Sequence, residues 1–340
     1  MHLPWLLLVL ASGLACPGCD EGAPAGAPSL PPGPDGPGGR YFTGPMFFDR
    51  VVTDAPVSPA SSTWIAGLRA AGGWGGGDRL LIDTSLTVLV ADASTPRRTF
   101  EKAAPYFYEP DCDHAPVPLP AGGNLEGEDG YACERQGDCH LIVHDPARGE
   151  LHELWKADLA GTVLSGGCLA VWHAGRTYAE VLRGDQCASA DGAGFPIAPL
   201  LFTADEVAAG VIPHAIRFVL PNDRIQRAFV RPATHGTETT GAPDAPPYGV
   251  HLRLRADYPL DTLPGPGAVV VARALQTYGM YLADGGDIAL TAQADITGGT
   301  GGARWAGLLD ANALARLRVE DFEVVDHGEP LALTFHCDRS

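Results

Sequence analysis

Positive charge is what this chain has least of. Lysine occurs only at Lys102 and Lys156, and 23 basic residues face 41 acidic ones, a net charge of −18 over 340 residues. Such a surface repels a phosphate backbone, so nucleic acid is excluded as a partner. No run of about 18–20 apolar residues exists to cross a bilayer as a helix. Neither lysine follows a glycine, which excludes a phosphate-binding P-loop. The glycine clusters at 72–77 and 298–302 do not match G-x-G-x-x-G, and no G-x-S-x-G elbow is present. His152-Glu-Leu-Trp-Lys156 begins like a zinc-protease motif but lacks its second histidine. Dinucleotide enzymes, ordinary α/β-hydrolases and zincins therefore fall away.

Abundance is equally restrictive. The 43 glycines and 30 prolines make about a fifth of the chain, too much for a helical bundle. At 45% apolar residues, a large core can still form. The prolines and glycines concentrate near the N-terminus, where 14 of the 23 residues from Pro17 to Gly39 are one or the other. That stretch reads as a tether. Before it, Leu3 to Leu14 has the length of a signal-peptide apolar region, and Gly13-Leu-Ala-Cys16 resembles a bacterial lipobox. The expected organisation is a signal peptide at 1–15, a lipidated tether at 16–39 and one β-rich domain at 40–340. Cys16 is the expected lipidation site, and the anchor is the only expected membrane contact. The expected location is the bacterial cell envelope. Cys16-x-x-Cys19 is not a metal pair, since no second such pair completes four ligands.

Six further cysteines, Cys112, Cys133, Cys139, Cys168, Cys187 and Cys337, suit three disulfides in an exported protein. Short separations favour Cys133–Cys139 and Cys168–Cys187.

Period-two patterning dominates after residue 40. Strands are expected at 79–84 and 86–91 around a short turn, and at 139–144 and 150–155 as a hairpin across Asp145-Pro-Ala-Arg-Gly149. Others are expected at 215–220, 228–231, 250–256, 280–283 and 288–292, with Asp284-Gly-Gly286 as the turn between the last two. Helices are expected from Ser58 to Gly72, after the capping box Thr203-Ala-Asp-Glu206, from Gly267 to Tyr278 and from Asp310 to Leu317. The fold class is mainly β, a β-sandwich or jelly-roll-like domain with a few peripheral helices.

Two constellations carry chemistry. Residues 211–256 hold six arginines against Asp223, Glu238 and Asp244, a net +3 inside an acidic protein, together with His214, His235 and His251. Strand alternation puts His251, Arg253 and Arg255 on one face, a platform for an anion or a sugar chain. The plainer alternative is a solvated face paired with local acids. The second constellation is the acidic stretch Glu109–Asp138. Its carboxylates can hold calcium, but a solvated, disulfide-pinned loop is the simpler reading. No other cofactor or metal is indicated.

Several segments in order, Asp205-Glu-Val-Ala-Ala-Gly210, His214-Ala-Ile-Arg217-Phe, Pro232-Ala-Thr-His235, Tyr278-Gly-Met with Ala283-Asp284, Arg304-Trp305 and Asp321-Phe-Glu-Val-Val325, resemble a group of secreted bacterial and fungal proteins over roughly 186–325. The resemblance implies an extracytoplasmic location and singles out Asp191, His214, Arg217, His235, Arg253 and Asp284. It carries no activity with it. The chain departs from the pattern at Asp284-Gly-Gly, where an asparagine often follows the aspartate.

The resulting expectation is an enzyme acting on a polysaccharide or other anionic glycan, as hydrolase or lyase. His214 and His235, or Asp191 with Asp284, would do the chemistry. Arg217, Arg253, His251 and Arg255 would hold the substrate. The competing expectations are a non-catalytic glycan- or partner-binding module, with Tyr248, Tyr258, Tyr278 and Tyr281 as stacking surfaces, and a purely structural envelope lipoprotein.

Overall fold

The structure, a computed structural model, describes residues 40–295 and 304–340. The apolar leader, Cys16, Cys19 and the tether lie outside the described residues. The principal strands in chain order are β1 (Ile82–Leu86), β2 (Val88–Val90), β3 (Leu141–Asp145), β4 (Glu150–Leu154), β5 (Leu169–His173), β6 (Ile216–Leu220), β7 (His251–Leu254), β8 (Met280–Gly285), β9 (Leu290–Gln293) and β10 (Phe322–Val324). The main helices are α1 (Ser61–Ala70), α2 (Ala204–Ala209) and α3 (Pro266–Thr277). The fold is mainly β, with several sheets and few helices, and among the described residues no sheet closes into a barrel.

A six-stranded mixed sheet has the order β1-β9-β6-β8-β7-β10, and a four-stranded sheet the order β5-β4-β3-β2. Alternation decides how the smaller sheet is used. Ile142, Leu151, Ala170 and Trp172 face the main core, while Leu141, Val143, Leu154 and Leu169 face a second core with Phe100, Val117 and Leu164. Both faces are buried, which is why β3 reads as a continuous apolar run. An aromatic chain joins the two sheets: Trp172 meets Phe42, Phe42 meets Phe48, Phe48 meets Phe47, and Phe47 meets Tyr281 on β8. The other face of the six-stranded sheet carries Phe218 and Phe322 against Trp74, with α1 and α3 packed alongside.

The hairpin β3–β4 forms as expected, in antiparallel register. The capping box at α2 is complete, Thr203 and Glu206 each serving the other's backbone, and Gly210 closes the helix in the left-handed region. Other expectations are corrected. β1 and β2 do not pair with each other; each runs parallel to a distant strand, β1 with β9 and β2 with β3. Asp284-Gly-Gly286 does not close a hairpin, because β6 lies between β8 and β9. Residues 310–317 form successive turns rather than a helix, since Asp310 Oδ1 accepts from the Asn312 amide and competes with helical bonding. Three disulfides form, Cys133–Cys139 as expected, but Cys112–Cys168 and Cys187–Cys337 in place of Cys168–Cys187. Sequence proximity was a poor guide because tertiary packing sets which sulfurs meet.

Candidate active site

A cleft of about 910 Å³ opens where the segment 188–192, the end of β8 and the stretch 107–111 come together. Asp191 and Asp284 lie in it, and Arg217 lies behind them. Arg217 projects from β6 in register with Tyr281 of β8, which faces His251 of β7. All three side chains therefore share one sheet face, and that face is internal. Arg217 donates from Nε and Nη2 to Asp191 Oδ1 at 3.0 and 2.7 Å, and its Nη2 lies 3.5 Å from Asp284 Oδ2. The two carboxylate oxygens around that nitrogen are thus no more than about 6 Å apart.

The two acids differ. Asp191 is only 1% exposed, and its Oδ2 has no hydrogen-bond partner. Burial pushes its carboxyl up to about 8 against the pull of Arg217. Asp284 is the more open member, its side chain 25% exposed. Burial raises it as well, opposed by Arg217 and by the Gly285 amide that donates to its Oδ1. The Gly192 amide donates to Asp284 Oδ2 at 3.1 Å. Residue 192 has to be glycine for this approach, because a Cβ there would stand 2.6 Å from Asp284 Oδ1.

His235 is the third expected residue in the cleft. Its Nδ1 donates to the Gly192 carbonyl at 3.0 Å, which leaves Nε2 as the free acceptor of the neutral ring. Burial lowers its pKa and keeps it neutral, with the Gly192 bond opposing.

The remaining expected residues go elsewhere. His214 lies by α2, its Nδ1 bonded to the Ala215 carbonyl and its Nε2 3.3 Å from Glu206. Arg253 donates to Glu323 Oε1 and to the carbonyls of Val52, Thr53 and Ala55. His251 stacks on Tyr281 at 3.9 Å and bonds to the Tyr278 carbonyl. Arg255 lies beyond the end of β7 and is exposed. The expected cationic platform is therefore corrected. His251 and Arg253 do share a face, but the fold covers it with its own groups. Tyr248, Tyr278 and Tyr281 are buried and offer no stacking surface.

Aromatic residues that the sequence reading passed over line the cleft instead: Phe107, Tyr108, Trp155 and Phe335. Trp155 is oriented by its Nε1 bond to Asp138 and by edge contact with Tyr106. Phe335 arrives on the C-terminal segment that Cys187–Cys337 clips down, and it meets His235 edge-on and Arg227 face-on. The acidic stretch also contributes, through Glu109, Asp111 and Asp138. Its carboxylates do not gather into a calcium cage. Asp111 accepts from the Ala188 amide, Asp113 pairs with Arg183 and Arg339, Glu126 with His140, and Glu128 and Asp129 with Arg135.

Searches against protein-family models, curated proteins and solved structures find no match for this chain.

Proposed function

We propose that this protein is an exported glycoside hydrolase acting on a polysaccharide. The observation that carries the reading is the pair Asp191 and Asp284 around one guanidinium in an aromatic-walled cleft. Asp191 lines the cleft, and burial raises its carboxyl so that it keeps a proton to give to a glycosidic oxygen at neutral pH. Asp284, more open and steadied by two backbone amides, serves as the nucleophile. The bound of about 6 Å on the oxygens that share Arg217 lies below the roughly 6.5–9.5 Å of inverting enzymes, which favours a retaining mechanism. Arg217 stays charged and stabilises whichever carboxylate is ionised.

A lyase reading needs a free cation to neutralise a uronate. Arg217 is committed to Asp191, Arg253 is spent on Glu323, and the cleft is lined by Glu109, Asp111, Asp138, Asp191, Glu238 and Asp284. The preferred substrate is accordingly a glycan without carboxylates. The aromatic wall alone favours a second reading, a glycan-binding module without turnover. Three disulfides suit an oxidising compartment. Export through the apolar leader and lipidation at Cys16 extend that statement as part of the proposal.

The test is incubation of the disulfide-intact protein with a polysaccharide panel. New reducing ends without ultraviolet-absorbing products support the hydrolase. Unsaturated products would identify a lyase, and binding without either product would identify the module.

A further inference from the structure

Two side chains that do not line the cleft stand directly behind it. His140 precedes β3 and is 4% exposed. Its Nδ1 lies 2.6 Å from Glu126 Oε2 and its Nε2 lies 2.9 Å from the Ala190 carbonyl. The Ala190 carbonyl can only accept, so Nε2 carries a proton, and with Glu126 held ionised by the pairing Nδ1 carries one as well. The buried ring is therefore an imidazolium, paired to Glu126 and donating to the residue immediately before Asp191. A buried charge is costly unless it is paired and hydrogen-bonded, and here both conditions are met.

We propose that Glu126 and His140 are the positioning pair of the site, fixing through Ala190 the turn that presents Asp191 to the cleft.

The turn has other anchors as well, among them the Gly194 amide on the Asp191 carbonyl and the Gly192 amide on Asp284. Ser189 Oγ spans it, accepting from the Asp191 amide and donating to the Phe195 carbonyl. Arg217 holds one carboxylate oxygen of Asp191 from below. His140 alone among these anchors brings a positive charge from the four-stranded sheet side. That charge acts on both cleft acids and opposes the rise that burial imposes on each. The charged groups acting on His140 are Glu126 and Asp138, which favour its charged form, and Arg217, which opposes it. Behind Glu126, Oε1 lies 3.4 Å from Ser85 Oγ, which in turn donates to Asp83 Oδ2 at 2.8 Å. The pair is thus tied to β1.

This inference rests on the reading of Asp191 as the acid, but it is measurable without turnover. In the full disulfide-bonded protein, nitrogen-15 NMR should show His140 doubly protonated at pH 7.5. A neutral His140 at that pH overturns the proposal whatever the activity. In His140→Gln, whose amide can still donate to Ala190, the carbon-13 titration of the Asp191 carboxyl should move to higher pH. An unchanged titration in that folded variant means that His140 only packs, and also overturns it. Where wild type cleaves a polysaccharide, His140→Gln should lower kcat with KM little changed and shift the alkaline limb of the pH profile, and Glu126→Asp, which keeps a carboxylate opposite His140, should lose less. Should His140→Gln fail to fold, Glu126→Asp with the same two titrations decides the matter, an unmoved Asp191 and a His140 neutral at pH 7.5 overturning the proposal. Absence of any cleavage by wild type would remove the hydrolase reading while leaving the two titrations to judge the pairing.

Discussion

At the scale of single residues, Asp191 makes the sharpest claims. Asp191→Asn keeps the side-chain volume and leaves Asp284 beside Arg217, so the fold should survive. Loss of a general acid typically lowers turnover by about 10²–10⁴-fold, and reducing-end assays on the polysaccharide that wild type cleaves would read it. Wild-type activity should also fall as pH rises through about 8, because the acid must carry its proton. An Asp191→Asn variant with undiminished turnover would remove this residue from the mechanism. Gly192→Ala tests the neighbouring constraint. Its Cβ would collide with Asp284 Oδ1, so the carboxylate must leave its place, and activity should drop with little loss of stability.

At the scale of elements, α1 and the C-terminal segment give opposite lessons about backbone. Glycine inside a helix usually costs about 0.5–1 kcal/mol relative to alanine. Gly67 sits within α1, yet a Cβ there would stand 2.1 Å from the Asp244 carbonyl oxygen. Gly67→Ala should therefore destabilise by about 1–3 kcal/mol, the range for overpacking, and urea unfolding will show the sign. The C-terminal segment is mostly exposed and held at its end by Cys187–Cys337. Replacing both cysteines by serine should lower stability by about 2–4 kcal/mol. It should also weaken glycan binding, because Phe335 loses its fixed place beside His235. Calorimetry of glycan binding before and after the double replacement separates those two effects.

For the whole molecule, buried ionisable groups set the pH at which the fold is most stable. His140 is held up at about 9, because the Glu126 carboxylate outweighs the burial that would lower it. Its contribution is complete below about 6.5 and is lost as pH rises through about 9. Asp191 at about 8 and Glu153 at about 7 are both raised by burial. Each contributes fully below its ordinary carboxylate pKa and loses that contribution as pH rises through the raised value. Glu126 works in the other direction. The charge of His140 outweighs burial and holds it at about 2, so its contribution is present above about 4.5 and lost as pH falls through about 2. Stability should peak at mildly acidic pH and decline from about pH 6 to 9, as measured by urea unfolding across that range. A stability that climbs steadily from pH 5 to 9 would contradict this set of burials.

The chain by itself determined the class of the fold, the hairpin at 141–154, the capped helix at 204–209 and the even count of bridging cysteines. Each of these depends on residues close in sequence: alternation, a turn tetrapeptide, a capping box, or a compartment that oxidises thiols. Asp191, Asp284, Arg217 and His235 could likewise be singled out in the sequence. Tertiary structure alone decided that they meet, that His214 and Arg253 do not join them, and that His251 faces inward. The reason is that a strand's alternation tells which residues share a face but not which face meets water. That choice depends on the layer formed by Phe42, Phe47, Phe48 and Phe195, contributed from far away in the chain. The pairings Cys112–Cys168 and Cys187–Cys337, and the bond from His140 to Ala190, have the same origin. Contacts between residues 50 to 150 positions apart leave no local pattern, and only the packed sheets bring them within bonding distance.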